Sequence, residues 1–136
     1  MKVILAKTAG FCFGVDRAVS LVEEAVAQGK EVSTLGPIIH NRHVTAHFAE
    51  KGVRELQEPE EAQPGSVVVI RSHGISRAVY ERLQVQDVEI VDATCPFVKR
   101  IHKIVLRAEE QGRLPVIIGT KSHPEVQAIA GWCKHP

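Results

Sequence analysis

A chain of 136 residues, 44% hydrophobic and with a formal net charge of +1, is long enough to bury one ordinary core. That near-neutral balance, without charge runs or aromatic-basic alternation, excludes a nucleic-acid surface or an acidic-membrane binder, and no apolar run approaches a membrane span. Three cysteines and an apolar start too soon broken by Lys7 to be a signal peptide fit reduced thiols in a cytoplasm better than a disulfide framework.

Taken in chain order, short β-like runs alternate with helical runs, the pattern of a parallel α/β sheet with flanking helices. A strand is expected over residues 2–5, then a helix over 15–27, where Ala18, Val19, Val22, Ala25 and Val26 form an apolar face and Gly29 closes it. A strand over 31–35 and a helix over 41–51, stopped by Gly52, come next. Residues 58–65, EPEEAQPG, are the one loop-like stretch, and no linker divides the chain elsewhere. A strand over 66–71, a helix beginning after Ser76 and a strand over 88–91 follow. The helix over 96–111 is bounded by its sequence, since Pro96 suits the first helical position and Gly112 the position after the end. The last expected strand is 115–118.

The reactive residues recur at one offset of 83 positions. Cys12, Gln28, Gly29, Gly36 and His40 reappear as Cys95, Gln111, Gly112, Gly119 and His123, with Lys30 answered by Arg113. The chain therefore reads as one and a half copies of an αβ unit. Ligands of parallel α/β sheets collect at the carboxyl ends of strands. On the expected skeleton Cys12, His40, His73, Cys95 and His123 each follow a strand, so all five point toward one crevice. Cys95 immediately precedes Pro96, near an N-cap where unpaired N–H groups favour a thiolate. His123 likewise precedes Pro124, with Glu125 in the first turn. Helix N-termini plus imidazoles make a receptor for a phosphate-bearing ligand.

The motifs GFCFGVDRAV (10–19), HN (40–41), RSHG (71–74), DATCPFVKRIH (92–102) and HPEV (123–126) closely resemble, in this order and spacing, the N-terminal part of 4-hydroxy-3-methylbut-2-enyl diphosphate reductase, the IspH or LytB family. The resemblance covers essentially the whole chain. It implies an iron-sulfur enzyme of the last step of the non-mevalonate isoprenoid pathway. There, two electrons and two protons remove the allylic hydroxyl of 4-hydroxy-3-methylbut-2-enyl diphosphate as water, giving isopentenyl and dimethylallyl diphosphates. By motif, Cys12 and Cys95 would each ligate one iron of a 4Fe-4S cluster. His40, His73 and His123 would bind the diphosphate, His123 would also help move protons, and Glu125 would donate a proton to the leaving hydroxyl. The electron donor would be a ferredoxin or flavodoxin. The resemblance also implies a three-lobed architecture, of which residues 1–94 would be the first αβ lobe and 95–136 part of the second. The third cysteine ligand would lie further along than this sequence runs, which makes the chain as given an incomplete, inactive piece. Ala128 stands where the family commonly has glycine after HPEV.

Other readings compete at individual positions. Cys133 lies outside the offset and reads as structural or incidental. His102 and His135 read as surface or helix-end residues. His43 and His47 share an expected helix face with His40, the spacing of a zinc site, but no carboxylate or cysteine of ligand spacing accompanies them. Arg71 and Lys121 read equally as phosphate contacts or solvated cations. Two further function classes stand beside the reductase: a non-catalytic diphosphate-binding module, and a hydrolase using Cys95 with His73 or His123.

Overall fold

The computed structural model describes residues 1–134 of the chain. Its strands are β1 (Val32–Leu35), β2 (Arg54–Leu56), β3 (Val67–Ile70) and β4 (Glu89–Asp92), all parallel, in the order β2-β1-β3-β4. Leu35 is level with both Leu56 and Ile70, and Ile70 is level with Asp92. All four strands therefore end on one line. The chain runs outward from β1 to β2, then returns past β1 to β3 and on to β4. The loops leaving β1 and β3 part company at that reversal, which opens a crevice at their carboxyl ends.

Helices cover both faces. On one side Ala18, Val22 and Ala25 of α1 (Phe13–Ala27) and Phe48 of α2 (Arg42–Glu50) pack with Val32, Val67 and Val69. On the other, Leu83 of α3 (Arg77–Gln84) packs with Leu35, Leu56, Val68 and Ile70. Because β3 is buried from both sides, its sequence Val-Val-Val-Ile is a continuous apolar run rather than an alternating one. The helix starts are set locally. Asn41 Oδ1 accepts from the N–H groups of His43 and Val44 ahead of α2, and Ser76 Oγ accepts from Val79 N–H ahead of α3. Beyond β4 come α4 (Pro96–Glu110) and the short α5 (Pro124–Ala130).

The internal repeat is visible in the backbone. Helices α1 and α4 have 15 residues each, and Phe13 and Ala27 stand 83 positions before Pro96 and Glu110. The carbonyls of Cys12 and Cys95 accept from Asp16 and Lys99, both at 2.9 Å, and Gly29 and Gly112 close the two helices with φ of +70° and +69°. The correspondence then lapses. The strand expected over 115–118, counterpart of β1, does not form, and neither does the strand expected over 2–5. Val3, Ile4, Leu5, Val116 and Ile118 are all exposed. A strand makes its ladder hydrogen bonds to neighbouring strands and none within itself, and among the described residues neither run has a strand beside it. The converse holds for β2. Its sequence, Arg-Glu-Leu, carries no β-branched residue, yet it pairs with β1 because Leu56 is buried beneath α3.

Candidate functional site

Backbone hydrogen bonds lace three of the loops at the carboxyl end of the sheet. Ser72 N–H donates to Ile38 O at 3.1 Å, and Cys95 N–H donates to Ser72 O at 2.9 Å. Ala93 N–H donates to Ile70 O at 3.1 Å. The ladder of β1, β3 and β4 is thus prolonged past the strand ends, and it fixes His40, His73 and Cys95, which lie within two residues of these bonds, relative to one another. The N-terminal part of α1 is tied in as well, since Arg17 donates to Asp92 O at 3.3 Å. Asp92 in turn accepts from Thr94 N–H at 2.9 Å and pairs with Lys99 at 2.7 Å, which shapes the entry to α4. Burial alone would raise the Asp92 pKa, but the Lys99 and Thr94 hydrogen bonds outweigh it and the carboxylate is held below its usual range.

Three imidazoles meet at the switch point. The ring centroids of His40 and His73 lie 4.5 Å apart, and His123 is 5.8 Å from each. His123 caps α5: its Nδ1 accepts from Glu125 N–H at 3.2 Å, so a neutral ring carries its proton on Nε2. His40 and His123 are exposed, whereas His73 is half-buried and its Nδ1 is sealed from solvent with no hydrogen-bond partner. Burial first, then the charges of His40, Arg71 and His123, push His73 down to a pKa of about 4, so it is neutral at pH 7. The cluster can therefore offer N–H donors to an anion without first carrying three positive charges. Glu125 is half-buried in the first turn of α5, two residues from His123.

Both cysteines of the repeat are N-caps, Cys12 of α1 and Cys95 of α4. The sulfur of Cys95 rests on the first turn of α1, where a Cβ on Gly14 would come within 2.6 Å of it. Gly14 is thus the opening that lets the Cys95 thiol reach the helix started by Cys12. Cys12 is exposed and Cys95 half-exposed, and both are free thiols. This donor chemistry suits two corners of an iron-sulfur cluster. Cys133 does not extend it: its Sγ faces Ile129 O at 3.8 Å, and burial and the charge of Glu109 raise its pKa, the opposite of what a thiolate ligand needs. Among the described residues no set of three His, Cys, Asp or Glu side chains is grouped to hold a metal ion.

Several positions differ from expectation. His102 is a buried residue, 6% exposed, stacked on Trp132 with ring centroids 5.3 Å apart, rather than a surface or helix-end group. Its Nε2 is without a partner, and burial lowers its pKa. His102 lies on the inner side of α4, a face that becomes legible only once α4 and the loop carrying Trp132 are placed together. Arg71 is half-buried and its Nε–H donates to Gly74 O at 3.2 Å, so it is not a freely solvated cation, while Lys121 is exposed. His43 and His47 are exposed on α2, which starts at Arg42, so His40 stands in the loop and not on their helix face. His135 lies outside the described residues.

Comparison with known proteins assigns the lineage. The family model described as LytB protein matches residues 3–136. The chain belongs to the LytB family. Among curated members, the 4-hydroxy-3-methylbut-2-enyl diphosphate reductases of Caldanaerobacter subterraneus subsp. tengcongensis and Pelobacter propionicus are 46% and 47% identical to it, over 98% and 97% of this chain but 48% and 47% of their own. A solved (E)-4-hydroxy-3-methyl-but-2-enyl diphosphate reductase, described as the terminal enzyme of the non-mevalonate pathway, matches with a TM-score of 0.83 at 44% identity, over 96% of this chain and 46% of that one. The E-1-hydroxy-2-methyl-but-2-enyl-4-diphosphate reductase of Plasmodium falciparum matches with a TM-score of 0.88 at 28% identity, over 93% and 40%. The chain thus spans about half the length of the LytB relatives it matches.

Proposed function

We propose that this chain carries the first part of the active site of a cytoplasmic iron-sulfur reductase that converts 4-hydroxy-3-methylbut-2-enyl diphosphate to isopentenyl and dimethylallyl diphosphates. The observation that carries this reading is the convergence of His40, His73 and His123 at the switch point, with the N-cap thiol of Cys95 on one of the laced loops and its counterpart Cys12 at the start of α1, the helix that Arg17 ties to Asp92. The names of the LytB relatives agree with it. On this reading residues 1–94 form the first αβ lobe and residues 95–136 begin a second.

The diphosphate, a polyanion, is held by N–H donors from the three imidazoles. The His123 proton sits on Nε2, directed away from the α5 cap, and His73 engages through Nε2 because its Nδ1 is sealed. Keeping His73 neutral before binding leaves it able to take up positive charge as the anion arrives. Glu125, placed by the same cap that orients His123, gives a proton to the allylic hydroxyl as its C–O bond breaks, so the oxygen leaves as water. His123, whose Nδ1 accepts from the Glu125 backbone N–H, helps resupply the proton. A 4Fe-4S cluster held in part by Cys12 and Cys95 would supply the two electrons that this loss of hydroxyl requires, drawn from a donor such as ferredoxin or flavodoxin, and the second proton of the balance forms the new C–H bond at one end of the allyl unit or the other, giving the two products. The third thiolate comes from sequence beyond this chain, so the 136 residues alone hold iron weakly and turn over no substrate.

Anaerobic reconstitution, with and without the remaining half of a LytB relative fused in frame, tests the reading. The fusion should form a chelator-resistant 4Fe-4S centre and turn over, and in it Glu125→Gln should keep the centre and bind substrate. Turnover of that variant should drop on the order of a hundredfold or more, the usual worth of a general acid. Turnover within a few-fold of the parent removes Glu125 from the mechanism. A stoichiometric centre in the 136-residue chain would instead make Cys133 the third ligand. Iron-independent turnover abolished by iodoacetamide would favour a hydrolase on Cys95, and pyrophosphate binding with no centre in either form would favour a non-catalytic module.

A further inference from the structure

We infer that Arg71 is a positioning residue that sets the spacing of the two loops from which His40 and His73 meet, an inference that rests on the diphosphate reading of that cluster. The side chain is bound into the turn that carries His73 from two directions. Gly74 N–H donates to Arg71 O at 3.0 Å, and Arg71 Nε–H donates back to Gly74 O at 3.2 Å. The four residues of the RSHG segment are closed into one bracket, and Gly74 completes it at φ of +75°.

The guanidinium then leaves its own loop and lies on Gly36, the residue that turns the chain out of β1 four positions before His40. A Cβ on Gly36 would occupy the space taken by Arg71 Nη1, and it would also meet Arg71 Cδ at 3.4 Å. Gly36 is itself pinned, since it adopts φ of +71° and its N–H donates to Leu56 O at 2.8 Å. Arg71 therefore spans the switch point, anchored by Nε on the β3 loop and stopped by Gly36 on the β1 loop. Its length and planarity fix the gap across which the His40 and His73 rings stand 4.5 Å apart. Arg71 also lines a hollow of about 210 Å³ with Gln57, Ser76 and Gln127, a space that none of the three imidazoles lines. Lysine cannot do the same work, because it has a charge but neither the Nε–H that reaches Gly74 O nor a flat head to lie on Gly36.

The test uses Arg71→Lys and Gly36→Ala, singly and combined. The His40 and His73 ring resonances are followed by NMR in ligand-free protein, and inorganic pyrophosphate is titrated by calorimetry. Each single variant should keep its far-UV circular dichroism and shift the rings of both histidines. Each should weaken pyrophosphate binding on the order of tenfold, about 1.4 kcal/mol. The double variant should lose less than the sum of the two singles, since they share the Arg71–Gly36 contact and only the backbone strain of alanine at φ of +71° is separate. If Gly36→Ala does not fold, Arg71→Lys decides through the same two rings. An unmoved His40 ring in folded Arg71→Lys overturns the inference, as do additive losses in the double variant. Pyrophosphate failing to bind the parent counts against the diphosphate reading instead, and the ring shifts still judge Arg71.

Discussion

His73 illustrates how much of this site is made by placement rather than by residue type. As a free histidine it would titrate near pH 6.5, but burial and neighbouring positive charge hold it at about 4. The sign of the consequence follows from proton counting. Between those two values the unfolded chain binds a proton that the folded chain refuses, so the His73 contribution to stability is full above pH 6.5 and is lost as pH falls toward 4. His102, depressed by its own burial, acts in the same direction. The thermal midpoint should accordingly fall by on the order of a few degrees between pH 7 and pH 4, and His73→Asn should flatten that slope. A midpoint equally steep with pH in the variant would show that His73 is not the group responsible. At this scale the sequence was legible where chemistry recurs at a fixed offset, as for Cys12 with Cys95 and His40 with His123. Arg71 and His102 were not legible, because their roles come from contacts with Gly36 and Trp132, distant in sequence, that no local pattern encodes.

Helices were easier to read than strands, for a physical reason. The α1 and α4 boundaries follow from residues within or next to each helix, such as Pro96, Gly29 and Gly112, so local sequence suffices. Strands depend on what lies beside them. Residues 2–5 and 115–118 have the apolar character of strands yet remain unpaired, while the unpromising Arg-Glu-Leu of β2 is captured by β1. The meeting of α1 with the N-terminus of α4 was legible only as two cysteines with equivalent positions. The device that allows it is Gly14. Gly14→Ala would press a methyl to within 2.6 Å of Cys95 Sγ and 3.2 Å of its Cβ, so the two helix starts must move apart. The expected cost is about 1–3 kcal/mol of stability, the usual range for overpacking, measured by urea denaturation. In the fusion with the remaining half of a LytB relative, iron uptake on reconstitution should fall with it, whereas Gly29→Ala, which meets no neighbour, should cost stability through its positive φ and leave iron uptake unchanged. Equal iron uptake by the Gly14 variant and the parent would separate the Cys12–Cys95 approach from metal binding.

For the molecule as a whole, most of the exposed large apolar residues fall in three stretches of chain. Phe97, Ile101 and Ile104 recur along α4 at intervals that set them on one face, and the unpaired runs add Val3, Ile4, Leu5, Val116 and Ile118, the last 96% exposed. Single exposed hydrophobes are ordinary in a soluble domain, but a helix face together with two strand-like runs is the composition of an interface. Residues 2–5 and 115–118 also carry backbone donors and acceptors free to pair with another chain. The described fold therefore holds a sheet, β2-β1-β3-β4, packed between helices, and outside its two core clusters exposed apolar surface on one face of α4 and along residues 2–5 and 115–118. The 136-residue chain should self-associate at micromolar concentration and bind a hydrophobic dye, as read by sedimentation velocity and fluorescence. Val116→Lys with Ile118→Lys should return it toward a monomer without changing its helix content, because neither side chain belongs to either core cluster. A parent chain that sediments as a single monomer and leaves the dye dark would mean that this surface is covered by the chain's own residues in solution, and that residues 2–5 and 115–118 pair where the structure leaves them apart.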